Sequence, residues 1–406
     1  MMIEAVTKRV AGLDVHKMVV VGTVLLEQED GSLQHETKQF GTFKRERRKM
    51  CQWLKDHDIE LVVMESTGIF WKSIYSTLQR AQIRAYVVNA RHVKNVPGRK
   101  TDVSDSHWLA ALARLGLLRP SFIPPEDLNH LRELTRQRMK LKGMLSAEKN
   151  RLSKILDSAG IRLSGVVTDI GGKSAQEIID GLIDGAPIDE LLNCIRGRLK
   201  SKTEQLKDCL DEELTPKQIF VLKEIRDHIQ YLNSAIQRFD EALFAAMSPY
   251  QKQWEILQTL PGVDKVSAAI LIVEIGTDME QFGSADRICS WAGMCPGNNE
   301  SAGKRKSGRT RKGNIFLRSI LCEIANAAIK TRSQFKGKYE SLVIRRGHKR
   351  AIIAIGHKIL RIIFTLLKRN QPYDDPDINY EKLMVDRNAP RWLKALDKYG
   401  YLPQAA

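Results

Sequence analysis

Val10-Ala-Gly-Leu-Asp14 and Leu61-Val-Val-Met-Glu65 are two short, apolar, largely aliphatic runs, and each ends on a carboxylate. Runs of this length and composition read as buried strands, and in an open α/β sheet functional groups collect at strand ends. Working outward, strands fit Arg9–Leu13, Val19–Leu26, Leu61–Met64 and Arg84–Val88, while amphipathic helices fit Arg45–Asp56 and Phe70–Arg80. Residues 1–122 therefore read as an α/β domain that carries Asp14 and Glu65 at strand ends.

Beyond Pro120, Pro124 and Pro125 the rhythm changes. Leu128, Leu131, Leu134, Met139, Leu141, Leu145, Leu152 and Leu156 recur at three- and four-residue spacing among charges, which predicts a long helix of coiled-coil type. Helical patterns continue through Ala175–Asp184 and Thr203–Met247, so 123–249 reads as a helical linker whose stretch Leu128–Leu156, with Leu141 and Leu145, makes subunit contacts. A third unit, 250–371, opens with Ile256-Leu-Gln-Thr-Leu260-Pro-Gly-Val263 ahead of Ser267–Ile275. Its Pro-Gly turn has the form of a helix-hairpin-helix, whose backbone amides can hold a phosphate. A basic, glycine-punctuated loop follows from Glu300 to Asn314, then helical Phe316–Lys330 and Ala351–Lys368; the tail 372–406 has no clear pattern.

The chain has 406 residues, 43% hydrophobic and 28% charged, which suits two or three folded domains rather than a disordered polymer. With 65 Lys and Arg against 48 Asp and Glu, its net charge of +17 calls for a polyanionic partner, and nucleic acid leads. A membrane is not expected, because Ala268–Ile272 is short and Ala351–Leu367 is interrupted by His357, Lys358 and Arg361. No signal peptide is expected either. Cys51, Cys194, Cys209, Cys289, Cys295 and Cys322 form no C-x-x-C pair, so neither a zinc knuckle nor a disulfide framework is indicated and a cytoplasmic, reduced protein is expected.

The chemistry turns on carboxylates. Asp102 and Asp105 in Lys100-Thr-Asp-Val-Ser-Asp105 share one face of a starting helix. A lone pair at that spacing is explained by a helix cap and a dipole-favouring acid. Joined by Asp14 and Glu65 in a basic chain, the four can bind two Mg²⁺ ions about 4 Å apart and stabilise both oxygens of a phosphodiester displacement. His16 and Lys17 read as structural or solvated, and Ser66, Thr67 and Gly68 as a capped helix entry. Lys94, Arg99 and Lys100 are candidate phosphate contacts. Ser301 stands beside Lys304, Arg305, Lys306, Arg309, Arg311 and Lys312, surroundings that would neutralise charge if its oxygen attacked phosphorus. Composition alone makes Ser307 an equal candidate. The basic cluster itself reads as polyanion binding, with a solvated loop as the plain alternative.

Taken in order, Gly12-Leu-Asp-Val-His-Lys17, Met64-Glu-Ser-Thr-Gly68, Lys100-Thr-Asp-Val-Ser-Asp105, Leu260-Pro-Gly-Val263, Glu300-Ser-Ala-Gly-Lys304 and Lys312-Gly-Asn314 resemble the bacterial insertion-sequence transposases of the IS110 type, including their IS1111 branch. The resemblance runs to about Leu367. It implies an RNase H-like (RuvC-like) domain with an Asp-Glu-Asp-Asp metal site at Asp14, Glu65, Asp102 and Asp105, a helical coiled-coil linker, and a mainly helical C-terminal transposase domain. It further implies Ser301 as a nucleophile that forms a phosphoserine link to DNA, with the metal site of another subunit of a homo-oligomer, a dimer or tetramer, activating it. The partners it implies are donor and target DNA and a structured noncoding bridge RNA that supplies sequence choice, in a bacterial cytoplasm at the nucleoid. Two other functions fit the residues: a Holliday-junction-type endonuclease in which metal-activated water cuts, and a non-catalytic nucleic-acid-binding assembly protein.

Overall fold

The computed structural model describes residues 6–401 apart from 67, 91, 92, 94–104, 298, 302, 311, 377 and 379. Its contacts divide the chain into two units, Met1–Glu126 and Asp127–Ala406.

The N-terminal unit is built on β1 (Arg9–Val15), β2 (Val19–Glu27), β3 (Leu33–Gly41), β4 (Leu61–Glu65) and β5 (Ala85–Val88), in the sheet order β3-β2-β1-β4-β5. The first three form an antiparallel meander, and β4 and β5 run parallel to β1. Helices α1 (Lys44–Asp56), α2 (Trp71–Arg80) and α3 (Asp105–Arg114) complete the mixed α/β domain. Side chains alternate across the sheet. Ala11, Leu13, Val15, Val62 and Met64 join Met50, Leu54, Ile74 and Leu78 in one core, while Val10, Leu61 and Val63 join Leu109, Leu112 and Ala113 of α3 in the other. The sequence patterns locate four of the five strands; β3 goes unrecognised because Leu33–Phe40 is an exposed, polar edge in which only Phe40 is buried. The helix after Glu65 starts at Trp71 with Phe70 as an N-cap that makes no side-chain cap bond, so Ser66 does not cap it as the sequence suggests.

In the second unit the expected long helix is α4 (Glu126–Ser158), followed by α5 (Lys173–Asp184), α6 (Ile188–Asn193), α7 (Thr203–Leu210) and α8 (Pro216–Ala245). The stretch read as continuous from Thr203 to Met247 is broken at Thr215. There a capping box with Gln218 and Pro216 in the first turn start a new helix. Leu141, Leu145, Leu152 and Leu156 of α4 pack on Ile178, Ile179, Leu222, Ile229, Leu232 and Ile236 of the same chain. Leu141 and Leu145 are thus core residues, and the subunit contact assigned to these two from sequence is corrected: both side chains are already buried within their own chain.

The remaining elements are α9 (Gln251–Gln258), α10 (Lys265–Ile275), α11 (Ala285–Trp291), β6 (Asn299–Ser301), β7 (Lys304–Ser307), α12 (Ile315–Ala328), α13 (Gln334–Arg346), α14 (His348–Arg369) and α15 (Tyr380–Lys398). The Pro-Gly turn joins α9 and α10 as expected, with Gly262 at φ +85° and Asp264 in a capping box with Ser267. Gly262 is needed for a second reason: a Cβ there would lie 2.6 Å from the backbone of Ile324 and of Ala328, so the turn sits directly on α12. The tail contains a helix, α15, that its sequence pattern does not reveal. Among the described residues, no helix is long and apolar enough to cross a membrane.

Candidate functional site

Asp14 and Glu65 are brought to adjacent strands by the parallel pairing of β1 and β4, whose register matches Leu13 with Met64. Alternation then sets their direction. Asp14 has the parity of Val10 and Glu65 that of Leu61 and Val63, so both belong to the face covered by α3. Asp14 is the penultimate residue of β1 and Glu65 the last of β4.

The head of α3 comes to the same place. A Cβ on Gly12 would lie 2.0 Å from the Ser106 carbonyl oxygen and 2.6 Å from the Ala110 nitrogen, so only glycine lets α3 settle on β1. Ser106 Oγ is 2.8 Å from Thr23 Oγ1, which is 2.9 Å from Thr37 Oγ1, a hydroxyl chain that ties the first turn of α3 to β2 and β3. At the other end of the helix, Arg114 donates to Glu27 at 2.7 Å, where β2 ends. Because β2 is antiparallel to β1, α3 begins at the Asp14 end of the sheet, and Asp105 is its first residue.

Three of the four sequence-predicted carboxylates, Asp14, Glu65 and Asp105, therefore share one end and one face of the sheet. Asp102, Lys94, Arg99 and Lys100 lie outside the described residues. Among the described residues, no three His, Cys, Asp or Glu side chains are close enough to form a metal-holding group. His16, read as structural or solvated, pairs through Nε2 with Asp14 Oδ2 at 3.0 Å.

In the other unit Ser301 lies in a strand rather than a loop. It ends β6 of a two-stranded antiparallel ribbon, opposite Lys304, while Ser307 pairs with Asn299 at the ribbon's base. The residues between the strands include Gly303 at φ +73°, as a tight reversal requires. The structure thus separates two serines that composition could not: one beside the turn, one at the root. Lys304, Arg309 and Lys312 are exposed. Arg305 and Lys306 lie on β7, and Arg311 is outside the described residues.

A two-stranded ribbon is marginal alone, so its root decides its position. Gly297 N donates to Arg309 O at 2.9 Å, and Gly313 lies so close to Ala292 and Gly293 that a Cβ would come within 2.3 Å of the Gly293 nitrogen. Asn314 caps α12, its Oδ1 accepting from the backbone N–H of Phe316 and Leu317, and its Nδ2 donates to Glu274 Oε2 at 2.6 Å. Glu274 is fully buried in α10 and receives Arg136 through two bonds of 3.1 and 3.2 Å, with Arg132 Nε 3.4 Å away. Arg132 also donates to the Glu274 carbonyl at 2.7 Å. Burial lowers its guanidinium pKa to about 10, against the pull of Glu274, so it stays charged at neutral pH. The sequence reading missed this cluster. Its one local signal is a lone acid in the apolar run Ala268–Ile275.

Residues 11–161 match the model of the IS110-type DEDD transposases, and residues 254–340 match that of the IS116/IS110/IS902 transposase family. The chain is 24% identical over 320 residues to the transposase of insertion sequence element IS1111A from Coxiella burnetii, covering 77% of this chain and 79% of that protein. It is 26% identical over 192 residues to the pilin gene-inverting protein of Moraxella bovis, covering 46% of this chain and 59% of that one. Among solved structures, Thermus thermophilus RuvC aligns with 28% of this chain and 99% of its own at 14% identity and a TM-score of 0.22. The two family matches fall in chain order on the carboxylate unit and on the serine ribbon with its surroundings, and the chain belongs to the IS110 family of insertion-sequence transposases.

Proposed function

We propose that this transposase is a Mg²⁺-dependent DNA recombinase that cuts through Ser301 as nucleophile, works as a homo-oligomer, and takes its choice of donor and target sequence from a structured noncoding RNA that flanks its gene. In this reading 1–122 is the metal-binding domain, 123–249 the helical connector, 250–371 the serine-bearing domain and 372–406 a C-terminal extension. The observation that carries it is the placement of Asp14, Glu65 and Asp105 at one end and on one face of the sheet. Asp102, three residues ahead of Asp105, is the fourth member.

The donor set suits the ion, because carboxylate oxygens are the hard ligands that Mg²⁺ takes. Gly12 supports the same reading, since it lets the head of α3 approach the strand ends. Bound Mg²⁺, taken as two ions, supplies charge neutralisation at the attacking and leaving oxygens of a phosphodiester. The chain's own residues do the rest. Asp14, Glu65, Asp102 and Asp105 hold the ions. Ser301 Oγ attacks phosphorus and gives up its proton, one P–O bond to the DNA breaks, and the departing oxygen takes a proton. A DNA hydroxyl then attacks the same phosphorus, the serine oxygen leaves and regains its proton, and the strand is rejoined without net hydrolysis. Lys304, opposite Ser301 in the ribbon, and the neighbouring Arg305, Lys306, Arg309, Arg311 and Lys312 bind and neutralise the phosphates.

The test is to incubate the protein with its flanking RNA, Mg²⁺, and donor and target DNA, and to look for a protein–DNA adduct on denaturing gels. An adduct in wild type and Ser307→Ala, absent in Ser301→Ala and Asp14→Ala, is the expected result. Cleavage without any adduct would instead establish a water-dependent endonuclease, and an adduct that survives in Ser301→Ala would remove that serine from the mechanism.

A further inference from the structure

The corner between α13 and α14 is Ile344-Arg-Arg-Gly-His-Lys-Arg350, and all seven residues are exposed. Among the described residues, no carboxylate stands within ion-pair reach of Arg345, Arg346, Lys349 or Arg350, and the sequence has no Asp or Glu from Ser341 to Tyr373. A run of charge is most often a solvated face. That explanation covers Arg345 and Arg346, which end α13, where cations suit the negative pole of a helix.

It does not cover Lys349 and Arg350. They lie in the first turn of α14, a 22-residue helix, at its positive pole, with no acid in that turn. The N-cap is Gly347 at φ +72°, which has no side chain to accept from the orphan N–H groups of the first turn. Four cations with no ion-pair partner among the described residues, an uncapped helix start and its dipole fall within residues 345–350, and each would be compensated by an anion there. The one ring in this stretch, His348, meets the Tyr339 ring edge-on, with the Tyr339 hydroxyl 2.9 Å from its Nδ1, so it is engaged within the chain rather than held out to stack splayed bases as single-stranded RNA recognition commonly requires. A regular phosphate backbone fits better.

We propose that this corner is a DNA-backbone site, separate from the basic ribbon, in which Arg345, Arg346, Lys349, Arg350 and the first-turn amides of α14 hold phosphates of duplex DNA. It rests on the chain being a transposase and not on Ser301 or Mg²⁺. The measurement is fluorescence anisotropy of the full chain with a labelled DNA duplex over a salt series, for wild type, Lys349→Glu/Arg350→Glu and Arg345→Gln/Arg346→Gln, with a structured RNA of equal length as a parallel arm. Each double variant should bind the duplex at least tenfold more weakly at low salt. The slope of log K against log salt should fall by about two, the sum of two lost phosphate contacts at about 0.9 each.

Melting supplies the control. Lys349→Glu/Arg350→Glu puts acids at the positive pole of α14, so its melting temperature should hold or rise while DNA binding falls, a combination that misfolding does not produce. Wild-type affinity and slope in both variants would overturn the proposal, as would a loss confined to the RNA arm.

Discussion

The carboxylates of the N-terminal unit are placed by main-chain register, whereas the serine of the C-terminal unit is placed by a ribbon whose root is held by a side-chain network around one buried carboxylate, Glu274. In the first, the pairing of Leu13 with Met64, the period of two along each strand and the missing Cβ of Gly12 are enough to bring Asp14, Glu65 and the head of α3 to one face. In the second, Glu274, Arg132, Arg136 and Asn314 arrive from three separate parts of the chain to fix where β7 runs into α12. Register is robust to side-chain change and intolerant of added backbone bulk. A buried polar network is the reverse, because each lost partner strands the others in a low dielectric.

The largest effect should come from Gly12→Val, which drives a side chain into the backbone of α3 and shifts the carboxylate on its first turn. Under the proposed mechanism, DNA cleavage with Mg²⁺ should fall about a hundredfold or more, as for other ångström-scale misplacements. Gly22→Ala, whose Cβ has as nearest neighbours the side chains of Leu13 and Trp53 at 3.1 Å, which can yield by a few tenths of an ångström where backbone cannot, should cleave far better than Gly12→Val. Equal cleavage by the two variants would break the register half of the comparison.

Next is Glu274→Ala, which leaves two arginines facing a vacated site and should cost about 3–5 kcal/mol in urea unfolding of the full chain. A cost below about 1 kcal/mol, the value of an ordinary surface pair, would show that the network does not anchor the ribbon.

The smallest effect concerns His107 on α3, whose ring lies 5.5 Å from that of His35 on β3. Burial, and then His35, hold His107 below its ordinary pKa of 6.5. The unfolded chain therefore takes up a proton that the folded chain does not. Stability of the N-terminal unit should be flat above 6.5 and decline as pH falls from there toward the folded pKa. His107→Gln should flatten that decline in melting curves; an unchanged slope would assign it to other groups.

How much of this was legible depends on how local each cause is. Strands β1, β2, β4 and β5 and helices α1 and α2 follow from apolar runs and amphipathic spacing, because each has a buried face that writes itself into the sequence. Leu33–Gly41 has almost no buried face, so β3 is invisible despite its full pairing with β2. The basic stretch around Ser301 is polar throughout, and nothing local distinguishes a loop from a ribbon whose partner strand lies three residues away. Helix α15 carries Pro390 inside it and is exposed along its last turns, so it too lacks a core-facing stripe.

The sequence by itself determined that Asp14 and Glu65 each end a buried apolar run, that Asp105 lies at a starting helix, and that the net charge of +17 points to a polyanionic partner, because strand period, helix start and charge are local or additive properties. Only the tertiary structure decided which residues anchor the ribbon, that Leu141 and Leu145 face their own chain's core, and that the cations at 345–350 have no ion-pair partner among the described residues. Those facts depend on which distant segments meet, and burial, close approach and ion pairing exist only once they do.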